Sequence, residues 1–193
     1  MSAMNENDLR VIQTKKSLHQ ALLALLKNKT LESISISELC REAAVNRGTF
    51  YLHYKDVGAL FNEHLHYLLQ DLEESYNEPY RHVDHLIPSQ LDPSTIRIFH
   101  HVKKYQSFYE IVFDPKSSMA NYYSLLKKLK SLMVNNSLNN KLDEHDITFL
   151  VAYEANAIMG LIIQWKEDGF SHSPEYMNEQ LTCLLKMQQL AEI

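Results

Sequence analysis

The sequence predicts an all-α protein in two parts, and three observations carry that expectation. Breakers are scarce, with only four Gly and five Pro among 193 residues. Apolar residues recur at three- and four-residue spacing through most of the chain, the period of helices packed on one face. The charge is split by region: up to residue 60 eight Lys/Arg face six Asp/Glu, giving +2, and the rest carries −7 of the net −5. A mildly basic head on an acidic body directs any polyanionic partner to the head.

Taken in order, the first helix is expected over 8–27, where Val11, Leu18, Leu22 and Leu25 share a stripe flanked by Ile12 and Leu26. The polar run KNKTLES ends it. SISE, residues 35–38, is a capping box in which the Ser35 hydroxyl accepts from the Glu38 N–H and the Glu38 carboxylate reaches back. It opens a short helix to Ala43 with Ile36, Leu39, Cys40 and Ala43 inward. Ala44, Val45 and Asn46 turn the chain into a second short helix from about Arg47 to His53. Asp56 suits the N-cap of a longer helix from Val57 to about Ser75.

Two short helices joined by a brief turn behind a longer one form a helix-turn-helix layout. Phe50 and Tyr54, four residues apart, can anchor the third helix on the first two. Asn46, Arg47, Thr49, Tyr51 and His53 remain for the outward face and the helix start, and such side chains hydrogen-bond to base edges or phosphates. Gly48 removes a side chain where a backbone must come close. Lys55 and the next helix start offer a positive charge and N–H groups to a phosphate.

The span 9–69 resembles the DNA-binding domain of TetR/AcrR-type transcriptional regulators. ISISELCREAAVNRGTFYLHYKD, residues 34–56, carries the resemblance, and RGTFYLHYKD matches that family's recognition-helix signature nearly residue for residue. The resemblance implies that Asn46, Arg47, Gly48, Thr49 and His53 face the groove. It implies phosphate contacts from Ser35, Tyr51, Tyr54 and Lys55, with Lys15 or Lys16 beside the flanking backbone. Three positions depart from the family pattern. Ala44 replaces a turn glycine, Val57 a common lysine and Gly58 a common glutamate, which leaves Lys55 as the cation at the fourth helix. The domain boundaries expected are 8–69 for DNA binding, with the motif at about 34–53, and 70–193 for regulation and dimerisation.

Helices also fill the second part. A polar connector with prolines or a broken helix, 78–93, precedes a helix expected from Pro93 through Lys104, then a short one in QSFYEIVF that ends at Asp114–Pro115. Further helices are expected over 117–135, from about Asp146 to Asp168 with Gly169 as the stop, and from Pro174 to about Leu190. AIMGLII, 157–163, is apolar on every side, so it must be covered on both faces. The last two helices are therefore read as half of a four-helix homodimer interface through Ala155, Met159, Gly160, Ile163, Leu181 and Leu184. QSFYEIVF followed by GLIIQWKEDGF also looks like one subgroup of the resembled family. Members of that family are homodimers, and two heads about one DNA turn (~34–36 Å) apart read a palindromic operator.

The aromatic residues of this part invite a pocket for a small-molecule effector, with Tyr105, Phe108, Tyr109, Tyr122, Tyr153 and Trp165 as candidate lining; the plain alternative is that they are core. No cofactor is expected. His82 and His85 have weak metal-ligand spacing, and connector histidines are the simpler reading. No GxSxG, P-loop, glycine-rich dinucleotide turn or HExxH occurs, so an enzyme is not expected. No run reaches the ~20 apolar residues that span a bilayer. MSAMNENDLR lacks the apolar stretch of a signal peptide, and Cys40 and Cys183 form no CxxC, which together place the protein in a reducing cytoplasm. The function expected is a homodimeric DNA-binding regulator, a repressor released by ligand. The alternative is a regulator of the same fold that acts mainly through a protein partner as activator or co-regulator.

Overall fold

Helices account for nearly all the regular structure of the computed structural model, which describes residues 6–82, 87, 90–115, 117–137 and 144–190; no strand occurs among them. Side chains are described for 9–81, 87, 90–115, 117–135 and 145–187. His85 and the side chain of His82 lie outside these residues. The α-helices are α1 (Glu6–Leu26), α2 (Ile36–Glu42), α3 (Arg47–His53), α4 (Val57–Asn77), α5 (Ile98–Lys104), α6 (Gln106–Val112), α7 (Met119–Ser137), α8 (Glu144–Glu167) and α9 (Pro174–Leu190). The chain divides into two compact units, Met1–Leu68 and Leu69–Ile193, the division falling within α4.

In the first unit α1 packs on α2 and α2 on α3. Leu18 and Leu22 of α1, Leu39 and Cys40 of α2, Phe50 of α3 and Leu60 of α4 are buried at its centre. Val11 and Ile12 depart from the expected stripe: they are 40% and 49% exposed, because the buried part of α1 begins only at Leu18. Ser35 caps α2, its hydroxyl accepting from the Glu38 N–H at 3.2 Å. The Lys29 ammonium, 2.6 Å away, is the main cause that holds the Glu38 carboxyl below its ordinary value, and the Ser35 backbone N–H adds to it.

The turn after α2 is a Schellman motif. The Val45 N–H bonds to the Cys40 carbonyl at 2.9 Å and the Ala44 N–H to the Arg41 carbonyl at 3.3 Å. Ala44 sits at the position that needs left-handed backbone, with φ of 52°. An alanine there strains against its own carbonyl, a cost glycine avoids. Ala44→Gly should therefore raise the stability of the intact protein by about 0.5–1 kcal/mol, once the greater freedom of an unfolded glycine is subtracted. Thermal or urea denaturation reads the change; a lower midpoint would show that this turn is relaxed with a Cβ present.

In the second unit α7 packs along α8, and α9 packs on α5. Trp165 of α8 is the largest sealed side chain, set edge-on to Phe99 and Phe170 with its indole N–H on the His172 carbonyl at 3.2 Å. Gly169, with φ of 68°, ends α8 as the sequence implies. The helix expected to run unbroken from Pro93 to Lys104 is interrupted. Pro93–Thr95 is a 3₁₀ turn capped by Asp92, and Ile96 is extended. The Arg97 guanidinium bonds the Ser94 and Ile96 carbonyls at 2.7 and 3.1 Å, and this local competition for backbone acceptors stops the turn from propagating. Buried Asn178 of α9 holds the turn in place by donating to the Pro93 and Ile96 carbonyls.

Candidate nucleic-acid interface and a cavity in the second unit

Asn46 opens α3. Its side-chain carbonyl accepts from the Gly48 N–H at 2.9 Å, so the residue expected at the groove is also the helix cap. From there the helix is two-sided. Phe50 is fully buried, while Arg47, Tyr51 and Leu52 are exposed, Leu52 by 80%. The Arg47 guanidinium meets the Tyr51 hydroxyl at 3.4 Å, one helical turn on, so the two polar tips lie together on the exposed side. Thr49 and His53 are half-buried, and Gly48 is open, a Cβ there meeting only Asn46 within 4 Å. Leu52 was not among the expected contacts. Its signal was a large apolar residue two positions past the buried Phe50, hence on the opposite side of the helix.

Two of the expected contacts are committed elsewhere. Tyr54 is 5% exposed, and its hydroxyl donates to the Glu63 carboxylate of α4; it is an anchor, not a phosphate contact. Lys15 pairs with the same carboxylate at 2.7 Å, so its charge is already matched. Lys16, exposed on α1, is the freer cation. The third donor to Glu63 is His19, 3.0 Å away. Burial lowers the His19 pKa despite that carboxylate, so a neutral imidazole donates through Nε2–H. Burial alone would raise the Glu63 carboxyl, but hydrogen bonds from Lys15, Tyr54 and His19 outweigh it and bring it down to about 2. At α4 the Asp56 carboxylate takes the Ala59 N–H at 2.7 Å and Val57 is buried. That leaves exposed Lys55 to meet a phosphate there.

The second unit holds a cavity of about 130 Å³, open on one side and lined from α4, the segments between it and α5, α5 itself, α7, α8 and α9. Of the aromatic residues expected to line a pocket, Tyr153 does so. Phe108, Tyr109 and Trp165 are sealed core, each 1% exposed, and Tyr105 and Tyr122 lie off the cavity. The rings that join Tyr153 are Tyr76 and Tyr80, whose centroids are 5.7 Å apart. Among the described residues Glu154 is the one ionisable group other than tyrosine on the wall, and its burial raises its pKa. The signal for it was a single acid inside the apolar run FLVAYEANAIMGLII.

Tyr109 belongs instead to a polar chain behind the core. His101, 1% exposed, donates through Nδ1–H to Asp71 at 2.7 Å and accepts from the Tyr109 hydroxyl at 3.0 Å. Lys104 also holds Asp71. Burial, only partly offset by Asp71, brings the His101 pKa to about 4, so its contact with Asp71 is a hydrogen bond of a neutral ring.

The expected dimer residues also divide. Ala155 and Met159 are buried inside the chain, 0% and 1% exposed, and are unavailable to a second copy. Gly160 and Leu184 are exposed, with Ile163 and Leu181 half-buried. One further expectation is corrected here: His145–Glu167 is long and apolar enough by length and composition to cross a membrane. Its apolar stretch is only 22% buried.

Residues 89–187 match the family model described as the transcriptional regulator C-terminal region of TetR type, which is just over half of the 193 residues. This chain belongs to the TetR family of transcriptional regulators. The uncharacterised HTH-type transcriptional regulator YxbF of Bacillus subtilis strain 168 is 22% identical over 170 residues, 88% of this chain. The chain spans 44% of the length of that relative. Among solved structures, the dihydroxyacetone kinase operon activator DhaS superposes with a TM-score of 0.57 at 18% identity, over 91% of this chain and 95% of that one. The fatty acid degradation regulator FadR of Bacillus halodurans superposes at 0.59 with 12% identity, over 90% and 94%. Likeness at these identities speaks to the TetR-type helical fold alone.

Proposed function

We propose that this TetR-family protein is a cytoplasmic homodimer that binds a palindromic operator through residues 8–69. It acts as a repressor, and a small molecule in residues 70–193 modulates its grip. The observation that carries the DNA reading is the two-sided α3, which seals Phe50 inward and leaves Arg47, Tyr51 and Leu52 outward. Arg47 suits a guanine edge, and Leu52 suits a thymine methyl. Asn46, Gly48, Thr49 and His53 lie at or beside the groove in this reading, with Lys16, Ser35, Tyr51 and Lys55 on phosphates.

Exposed Phe149 and Tyr153 on α8, and Leu184 and Met187 on α9, support the dimer, since an apolar surface of this extent calls for cover. A Cβ at Gly160 would meet nothing within 4 Å, so the chain itself leaves room for close approach there. The cavity supports the effector. A ligand that prefers one spacing of the two heads shifts the dimer toward that state and so changes operator affinity.

Fluorescence anisotropy on DNA flanking the protein's own gene, at ~150 mM salt with excess competitor, tests the reading. A palindrome should bind saturably and far more tightly than its half-site. Arg47→Ala should weaken operator binding about tenfold or more, the range of one lost bidentate base contact, with circular dichroism unchanged. Equal affinity of wild type and variant would remove Arg47 from the interface. Failure to select any sequence from genomic fragments would favour a regulator acting through a protein partner.

A further inference from the structure

We propose that the cavity of the second unit selects a small organic cation, an ammonium group carried on an apolar body about the size of one ring. The proposal rests on the effector reading above and adds the chemical class of the ligand. Among the described residues the wall holds an acid, Glu154, and no lysine, arginine or histidine. Among the described residues Glu154 makes no hydrogen bond or ion pair, although it is half-buried. A carboxylate withdrawn from water without a partner is costly, and a cation entering the cavity would remove that cost.

Three tyrosines, Tyr76, Tyr80 and Tyr153, share the wall with it, and aromatic faces attract organic cations. The remaining lining is mostly aliphatic, Met133 and Ile158 among it, which suits the apolar body. An anionic head would meet Glu154 with no base among the described wall residues to offset the repulsion. Size sets the other bound. At about 130 Å³ the cavity is close to the roughly 150 Å³ that admits benzene, and a longer ligand would leave by the open side.

Isothermal titration calorimetry on the full chain without DNA, using benzyltrimethylammonium, benzyl alcohol and phenylacetate, separates the possibilities. The cation should bind saturably and at least tenfold more tightly than either of the others. Glu154→Gln should lose at least tenfold for the cation while leaving benzyl alcohol unchanged, and Tyr153→Leu should weaken the cation selectively. Circular dichroism would check that both variants are folded. A cation affinity unchanged in Glu154→Gln would overturn the assignment. So would phenylacetate or benzyl alcohol binding as tightly as the cation, although the effector reading would then stand with another ligand class. No saturable binding by any of the three would overturn both. Because no DNA is present, failure of the operator assay leaves the result intact.

Discussion

Glu63→Ala should destabilise the first unit by about 3 kcal/mol, the largest effect expected of any surface-accessible position there. The carboxylate is a shared acceptor for three donors and joins three elements. Lys15 and His19 reach it from α1, Tyr54 from the end of α3, and it stands on α4. Held down to about 2, it gains from these donors a free energy of about 3 kcal/mol at neutral pH. Removing it also strands the Tyr54 hydroxyl, which is almost wholly buried. Tyr54 is the C-cap residue of α3, so operator affinity should fall along with stability. Glu63→Gln keeps an acceptor without the charge and should cost less. Urea denaturation of both variants, followed by circular dichroism, reads the order. Equal midpoints for wild type and Glu63→Ala would show that water replaces the carboxylate without loss.

Mild acid should be nearly as damaging, and in both units. His64 in the first and His101 in the second are held neutral at about 4, against an ordinary value of 6.5. Burial is the chief cause for each. The neighbouring His19 ring adds to it at His64, since two adjacent imidazoles resist carrying charge together, and Asp71 opposes it at His101. Both values are depressed, so the unfolded chain takes up protons first as the pH drops. The stability of the neutral rings is therefore complete above pH 6.5 and is lost as pH falls toward 4, about 3 kcal/mol for each ring. Glu63 adds to the loss only below 4.5, as pH approaches 2. The melting temperature should fall steadily from pH 7 to 5. His64→Gln, which cannot take up that proton, should flatten the fall. A melting temperature independent of pH over this interval would show that both rings take up protons as readily in the folded protein as in the unfolded chain.

The two predictions differ in what the sequence says about them. An acidic residue on α4 and a histidine on α1 are ordinary in a helical chain. Only when α1, α3 and α4 pack together do they become one hydrogen-bonded group. The same holds for Asp71, His101 and Tyr109, whose polar atoms meet across three helices. Contacts of this kind join residues far apart in the chain, and no local spacing encodes them.

What lies within a turn or two of chain was determined by the sequence itself. Asn46 and Tyr54 bound α3 at Arg47–His53, Pro174 starts α9, and Gly169 stops α8, each through backbone geometry or a cap that acts on its own neighbours. The helix-turn-helix and its exposed Arg47 and Tyr51 follow from such rules with one buried anchor, Phe50. The turn at 44–46 was legible too, but the left-handed backbone of Ala44 came from the structure. The second unit was decided by its tertiary structure. α8 is apolar on nearly every side, so helical period cannot say which face meets another helix. Packing turns Ala155, Met159 and Trp165 inward and leaves Tyr153 and Gly160 outside. The cavity follows from the same choice. Its lining runs from Ser75 to Leu185, and these residues come together only because α7 packs along α8 and α9 packs on α5, which leaves Glu154 beside the gap. A periodic pattern ranks the faces of a helix by polarity, and where the faces are equal only the neighbouring helices break the tie.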